Sequence, residues 1–432
     1  RRDGHPFFLP AGACSVTRSG DTGAVGAIPT RKRYAMFTER SPQCSGASVG
    51  WPTLGTTHRG MRMMRLPTTN GFVRGCEMGF FGVGATPSST RLEPSTPDAP
   101  ATPTAVTTLA PHPSAPIPVQ GTPLGAAMRV PLGETGARVF PLILGGAEFG
   151  WHVDLTAAHA ILDAYRERGG NAVKASDADA AGRSEYIIGE WMARRRARDS
   201  TVLCVRVGTN PDHPGLGSVN LIRSVEASLT RLQTDRIDVL YLDATAEAQT
   251  PLEDTLATAE WLIEAGKVRA LGSVGHTPAQ LVEARILSSA GYPRFSALSV
   301  PFNVLRQGAF DQDLRLVAGA QGIAVTPSQP LEHGYLSGMH RTRSQVAASV
   351  RGSQLAAAMN RRGQRTLRAM DRIAAELSIP TSAVAIAWLL AQRTVVAPVV
   401  NAYAVQHVAE LVQGVGVKLS RAQLAEIAKA AQ

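Results

Sequence analysis

The stretch "RIDVLYLDATAEAQTPLEDTLATAEWLIEAGKVRALGSV", residues 236–274, decides the fold. It opens on the apolar run "RIDVLYLD" (236–243) and closes on another, "KVRALGSV" (267–274). Apolar runs that do not alternate with polar residues belong to strands buried on both faces, as in parallel sheets. Between them "TPLEDTLATAEWLIEAG" predicts a helix. Thr250 is the expected N-cap, Pro251 the first helical residue, Glu253 a capping-box partner and Gly266 the stop. Strand, crossover helix and parallel strand make one βαβ unit.

The same unit recurs on both sides. Upstream strand candidates are "PLILGG" (141–146), "NAVKAS" (171–176) and "TVLCVRV" (201–207). Downstream come "FSALSV" (295–300), "GIAVTP" (322–327) and "VVAPVV" (395–400). A helix capped by Asp154 buries Leu155, Ala158, Ile161, Leu162 and Tyr165 and stops at Gly169-Gly170. Another puts Val219, Ile222, Val225, Leu229 and Leu232 on one face. "MRVPLGETGARVFPLILGG" from Met128 reads as a hairpin followed by the first strand. Eight strands with helical crossovers point to an α/β fold, a (β/α)8 TIM barrel with an N-terminal β-hairpin. A doubly wound sheet is the alternative, but no G-x-G-x-x-G follows the first strand.

Residues 1–120 differ in character. They hold 15 of the 28 prolines, and 12 Lys/Arg against 6 Asp/Glu, so most of the net charge of +10. The Pro/Thr/Ser-rich run 86–120 lacks an apolar face that would offset the entropy of ordering. We expect a disordered or non-native extension over 1–122 and a barrel over 123–432, with Met128 a candidate start. Scattered cations without interleaved aromatics do not suggest a nucleic-acid surface. No apolar run reaches the roughly 18 residues that span a bilayer, and no signal-peptide pattern opens the chain. Expectation is therefore a cytoplasmic protein with neither nucleic-acid nor membrane partners. Cys14, Cys44, Cys76 and Cys204 form no CxxC, and Cys204 reads as a core thiol. The Ala/Arg/Gly-rich composition suggests a bacterial source.

In a barrel the chemistry sits at the C-terminal strand ends. Those ends offer Glu148, Phe149 and Trp151, then Lys174, Ser176, Asp177 and Asp179, then Arg206, Asp243, Ala244 and Thr245. Beyond them lie Val274, Gly275, His276, Ser299, Phe302, Asn303, Ser328, Glu332, His333, Asn401 and Tyr403. Lys174 and Arg206 facing Asp177, Asp179 and Asp243 make either an anionic-ligand site with shifted acidities or a self-neutralising rim. A desolvated Lys174 would be a candidate Schiff-base amine. His276, His333, Glu332 and Glu148 lack metal-site spacing, so no metal is expected. Trp151 and Phe302 read as pocket wall.

From about residue 128 the chain resembles the aldo/keto reductase family. The matching motifs include "FGWHVD" (149–154), "GRSEYIIGEWM" (182–192), "SLTRLQTDRIDVLYL" (228–242), "EAGKVRALG" (264–272), "GIAVTP" (322–327) and "AVAIAWLLAQ" (383–392). The resemblance implies a (β/α)8 barrel, NADP(H) across the mouth and carbonyl reduction by an Asp–Tyr–Lys–His tetrad. Those four positions fall on Lys174, Asp179, Arg206 and Ala244. None keeps the family's residue. An ionised carboxylate at Asp179 cannot donate the proton that the family's Tyr supplies. The cofactor-binding positions fall on Val274, Gly275, Ser299, Ser328, Asn401, Tyr403 and Glu410, and only Glu410 is retained. Framework motifs survive while site positions change. The expectation is a catalytically degenerate, ligand- or partner-binding barrel. The alternatives are an NADP(H)-dependent oxidoreductase with a non-standard arrangement, or another barrel chemistry centred on Lys174.

Overall fold

The computed structural model describes residues 128–246 and 250–432. The expected extension over 1–122, with Cys14, Cys44 and Cys76, lies outside the described residues. A two-stranded hairpin, β1 (Val130–Pro131) and β2 (Arg138–Val139), pairs antiparallel as the sequence predicts. Then comes the parallel sheet of β3 (Ile143–Gly145), β4 (Ala172–Ser176), β5 (Val202–Val207), β6 (Ile237–Asp243), β7 (Val268–Val274), β8 (Phe295–Ser299), β9 (Ala324–Val325) and β10 (Val399–Val400). Neighbours follow sequence order from β3 to β9, and β10 pairs with β3. The ring closes where Val325 accepts from the Val396 N–H and bridges Val395. This is the (β/α)8 barrel.

The helices are α1 (Leu155–Glu167), α2 (Arg183–Arg195), α3 (Ser218–Arg231), α4 (Leu252–Glu264), α5 (Pro278–Ser289) and α6 (Gln312–Ala320). Four more precede β10: α7 (Arg343–Ala347), α8 (Gly352–Ala358), α9 (Arg361–Leu377) and α10 (Thr381–Leu390). Helices α11 (Val405–Gly416) and α12 (Arg421–Ala430) end the chain. Among the described residues no single helix is long and apolar enough to cross a membrane.

Strand alternation sorts side chains into two cores. Val173, Ala175, Leu203, Val205, Leu240 and Leu242 point outward to the helices. Ile143, Ala172, Cys204, Val239, Tyr241, Ala297, Ala324 and Ala397 point inward, and Leu132 and Val139 of the hairpin pack beneath them. The lower barrel is thus filled and apolar. Cys204 belongs to that interior, and burial pushes its thiol up to about 12.

Three local expectations need correction. Helix α4 starts at Leu252, with Pro251 at the N-cap position and no side-chain cap. Glu253 is drawn away to accept from the Tyr292 hydroxyl at 2.8 Å, so no capping box forms. On α3, Val219 is 59% exposed, and the buried stripe is Leu221, Ser224, Val225, Ser228 and Leu229. The small serines let that stripe face inward, although the 219/222 positions look more apolar in sequence. Strands β9 and β10 are two residues each rather than six, bounded by Pro327 and Pro398. Proline has no N–H to continue a ladder.

Candidate functional site

Above the apolar floor the interior changes chemistry within one strand turn. Lys174 is the next inward residue of β4 after Ala172, and it pairs with Cys204 across to β5. Its ammonium donates to Ser299 Oγ at 2.7 Å and sits 4.0 Å from the centre of the Tyr241 ring. Tyr241 is fixed below it by a 3.1 Å hydrogen bond with Thr326. Burial, reinforced by the like charge of Arg206, lowers Lys174 from 10.5 to about 7.

The next layer holds Ser176, Arg206 and Asp243. Register puts Ser176 beside Arg206, and Arg206 donates to its hydroxyl at 3.3 Å. The guanidinium lies 3.5 Å from Asp243 Oδ2 and 4.0 Å from Asp179 Oδ1. Asp243 is closed off from above, because Thr245 donates to its Oδ1 from both N–H (2.9 Å) and hydroxyl (2.5 Å). Asp179 opens a one-turn helix at 179–182, where Ala180 and Ala181 both carry positive φ. Burial raises its carboxyl above the usual range. Ala244 contributes no side-chain chemistry, only a backbone N–H to Val274. Three of the four tetrad-equivalent positions therefore meet at the mouth, as a mixed-charge cluster around Arg206.

Asp177 does not join them. It is 1% exposed, neither of its carboxylate oxygens has a hydrogen-bond partner, and burial pushes it up to about 6. Nearby, Arg231 donates to Glu185 at 2.6 Å, tying α3 to α2. His276 is likewise structural: it bonds Ser273 at 3.0 Å, stacks near Phe295, and burial lowers it to about 4. The residues considered for a metal are split up. Glu332 pairs with Arg306 (2.6 Å) and Asn303 (2.7 Å), while Glu148 pairs with His152 (2.7 Å) and Arg351. Among the described residues no group of three ligating side chains assembles. Trp151 is 66% exposed, and Phe302 is core, packed on Phe310 and Trp388; neither lines the cavity described next.

The mouth also carries a cavity of about 500 Å³. Asn401, Tyr403 and Glu410 line it, with Gln329, His333, His340, Ser349 and Arg351. The segment from 338 to 358 roofs it and is clasped to the β3 loop by Arg351 on the buried Glu148. The Arg351 guanidinium stands 6.0 Å from the Tyr403 ring. His340 Nδ1 is buried there without a partner. Sequence reading missed Arg351 and Tyr241. Inward alternation from Lys174 and Arg206 could have found Tyr241, but no local pattern marks Arg351.

The model of the Aldo/keto reductase family matches residues 141–432, more than half of the chain. The chain belongs to the aldo/keto reductase family. Its relatives include the aldo-keto reductase ausK of Aspergillus calidoustus, 32% identical over 67% of this chain and 78% of that protein. The norsolorinic acid reductase of Aspergillus flavus is 30% identical over 69% of this chain and 79% of its own length. An aryl-alcohol dehydrogenase of Pestalotiopsis microspora is 28% identical over 68% and 80%. These relatives are fungal, whereas composition alone suggested a bacterial member.

The positions that the resemblance assigns to the family's cofactor fall into two groups. Asn401, Tyr403 and Glu410, expected at the adenine end, line the cavity. At the positions expected for the nicotinamide end the residues do not fit. Ser299 Oγ is taken by Lys174, Val274 offers no polar side chain, and Gly275 (φ +74°) has the Thr245 methyl 2.5 Å from where a Cβ would stand. Ser328 gives no ring to stack on.

Proposed function

We propose that this chain is a ligand-binding member of the aldo/keto reductase family that does not perform the family's tyrosine-dependent carbonyl reduction. The observation that carries the reading is Asp179. On our reading it stands where the family's proton donor is expected, as a carboxylate 4.0 Å from Arg206, so the guanidinium opposes its protonation while burial favours it. A charged Asp179 repels the oxyanion that hydride addition creates, and a carboxylate cannot supply its proton. Loss of the nicotinamide-end contacts supports the same reading, at roughly 1–3 kcal/mol for each buried polar partner removed. The ligand class we assign to the mouth cavity is a small molecule with a flat ring and an anionic group. Tyr403 offers the face, and Arg351, His333 and His340 the polar contacts.

Titration with NADPH, followed by its fluorescence, tests this. We expect no micromolar binding and no NADPH-dependent reduction of aromatic aldehydes. Restoring the tetrad by Lys174→Asp, Asp179→Tyr, Arg206→Lys and Ala244→His should leave the protein inactive, because the nicotinamide end is also lost. Micromolar NADPH affinity in the wild type would overturn the reading.

A second reading has its own support. The persistent adenine-end cavity, and relatives named as reductases and dehydrogenases, favour an NADP(H)-dependent oxidoreductase with a changed arrangement. There Lys174 would be the group able to give up a proton near neutral pH. NADPH oxidation that falls on Lys174→Met but not on Asp179→Asn would select it.

A further inference from the structure

We infer that Lys174 is a nucleophilic amine that condenses with a neutral aldehyde or ketone at the barrel mouth to form an imine. Its placement makes the case. Among the described residues no carboxylate lies within ion-pair distance of its nitrogen, which is held instead by the neutral Ser299 hydroxyl and the Tyr241 ring. The nearest layer above it carries the Arg206 guanidinium, whose charge opposes a second cation below. The apolar floor of Cys204, Val239 and Ala297 excludes water from beneath. Above, the way in is partly open: Lys174 is half-buried, Arg206 34% exposed and Asp179 20% exposed.

A lysine so placed keeps an unprotonated fraction near neutral pH, as burial and Arg206 bring it to about 7. The chemistry balances without an oxidant or reductant. The Nζ lone pair forms a bond to the carbonyl carbon, giving a carbinolamine. The C–O bond then breaks, and the oxygen leaves as water with the two amine hydrogens. Net charge argues for a neutral carbonyl. A protonated imine plus Arg206 is balanced by Asp179 and Asp243, and an added carboxylate would leave one negative charge over.

The test is reductive trapping on the whole protein. Benzaldehyde is added at pH 7 with sodium cyanoborohydride, and the benzylated lysines are mapped by peptide mass spectrometry. The chain has five lysines, at 32, 174, 267, 418 and 429, so assignment is direct. We expect Lys174 to label on the order of a hundredfold faster than the exposed Lys418, since each unit by which the pKa falls gives about tenfold more free amine. Labelling should saturate with benzaldehyde concentration and level off above pH 7 to 8. Ser299→Ala should keep labelling at Lys174, and Lys174→Arg should remove it. Labelling of Lys174 no faster than Lys418 in the wild type overturns the proposal, and that outcome needs no variant to fold. NADPH binding would overturn the reading given above and leave this one standing.

Discussion

The two ends of the barrel are built from the same strands, yet they obey different rules. At the lower end every inward residue is apolar: Leu132, Val139, Ile143, Ala172, Val239 and Ala397 are 0% exposed. In the two layers above, the same strands present Lys174, Ser176, Arg206, Asp243 and Ser299. The family match begins at residue 141 and runs through the strands that build both ends. On the reading proposed above, the upper end is where the family keeps its chemistry and where this chain's residues differ. Packing must satisfy shape alone, whereas a catalytic layer must satisfy shape, charge and proton position together. Substitution in the upper layer can therefore remove the reaction and leave the fold.

The sharpest way to break this contrast is at the floor. Leu132→Ala, which opens a cavity under the hairpin, should cost about 2–4 kcal/mol of stability in denaturant unfolding. It should leave any ligand affinity at the mouth unchanged. A loss below about 1 kcal/mol would mean the hairpin does not seal the core.

The upper layer predicts a pH signature of comparable size. Lys174 is near 7 in the folded chain and 10.5 when unfolded, so between those values the unfolded chain binds more protons. Stability therefore rises with pH across that window through this group, by about 2–4 kcal/mol. Lys174→Met removes the rise: the variant should be the more stable protein at pH 6, with the gap closing toward pH 10. Parallel wild-type and variant curves from thermal melts would show that the amine is solvated after all.

The clasp over the cavity should give the smallest change. Arg351→Ala leaves Glu148, 2% exposed, with His152 alone, at a cost of about 1–2 kcal/mol. It should also loosen the 338–358 roof, seen as faster hydrogen exchange in α7 and α8. Unchanged exchange there would place the roof's stability in its own packing, through Val346 and Leu355.

Much of the architecture was legible from residues 236–274 outward, because buried parallel strands and capped helices each write a period into the chain. Where legibility failed, two nearby patterns competed. Val219 and Leu221 both head plausible stripes on α3, and only contact with the rest of the barrel chose Leu221. Glu253 had a capping role available in sequence, and Tyr292, far along the chain, took it. The short β9 and β10 follow from Pro327 and Pro398, which the apolar runs disguised.

The site divides the same way. By itself the sequence, through an ordered string of framework motifs, gave the expectation that Lys174, Asp179, Arg206 and Ala244 stand at the family's tetrad positions. Only the tertiary structure decided what the replacements do. Whether Lys174 meets a carboxylate or a hydroxyl depends on Ser299, 125 residues away. Arg206 is shared between Asp179 and Asp243, while Asp177 is left aside, buried and unpartnered. Local sequence sets which strands form and which faces turn inward. Charge balance and desolvation depend on every group that ring closure brings within a few ångströms, and no window of the chain contains them all.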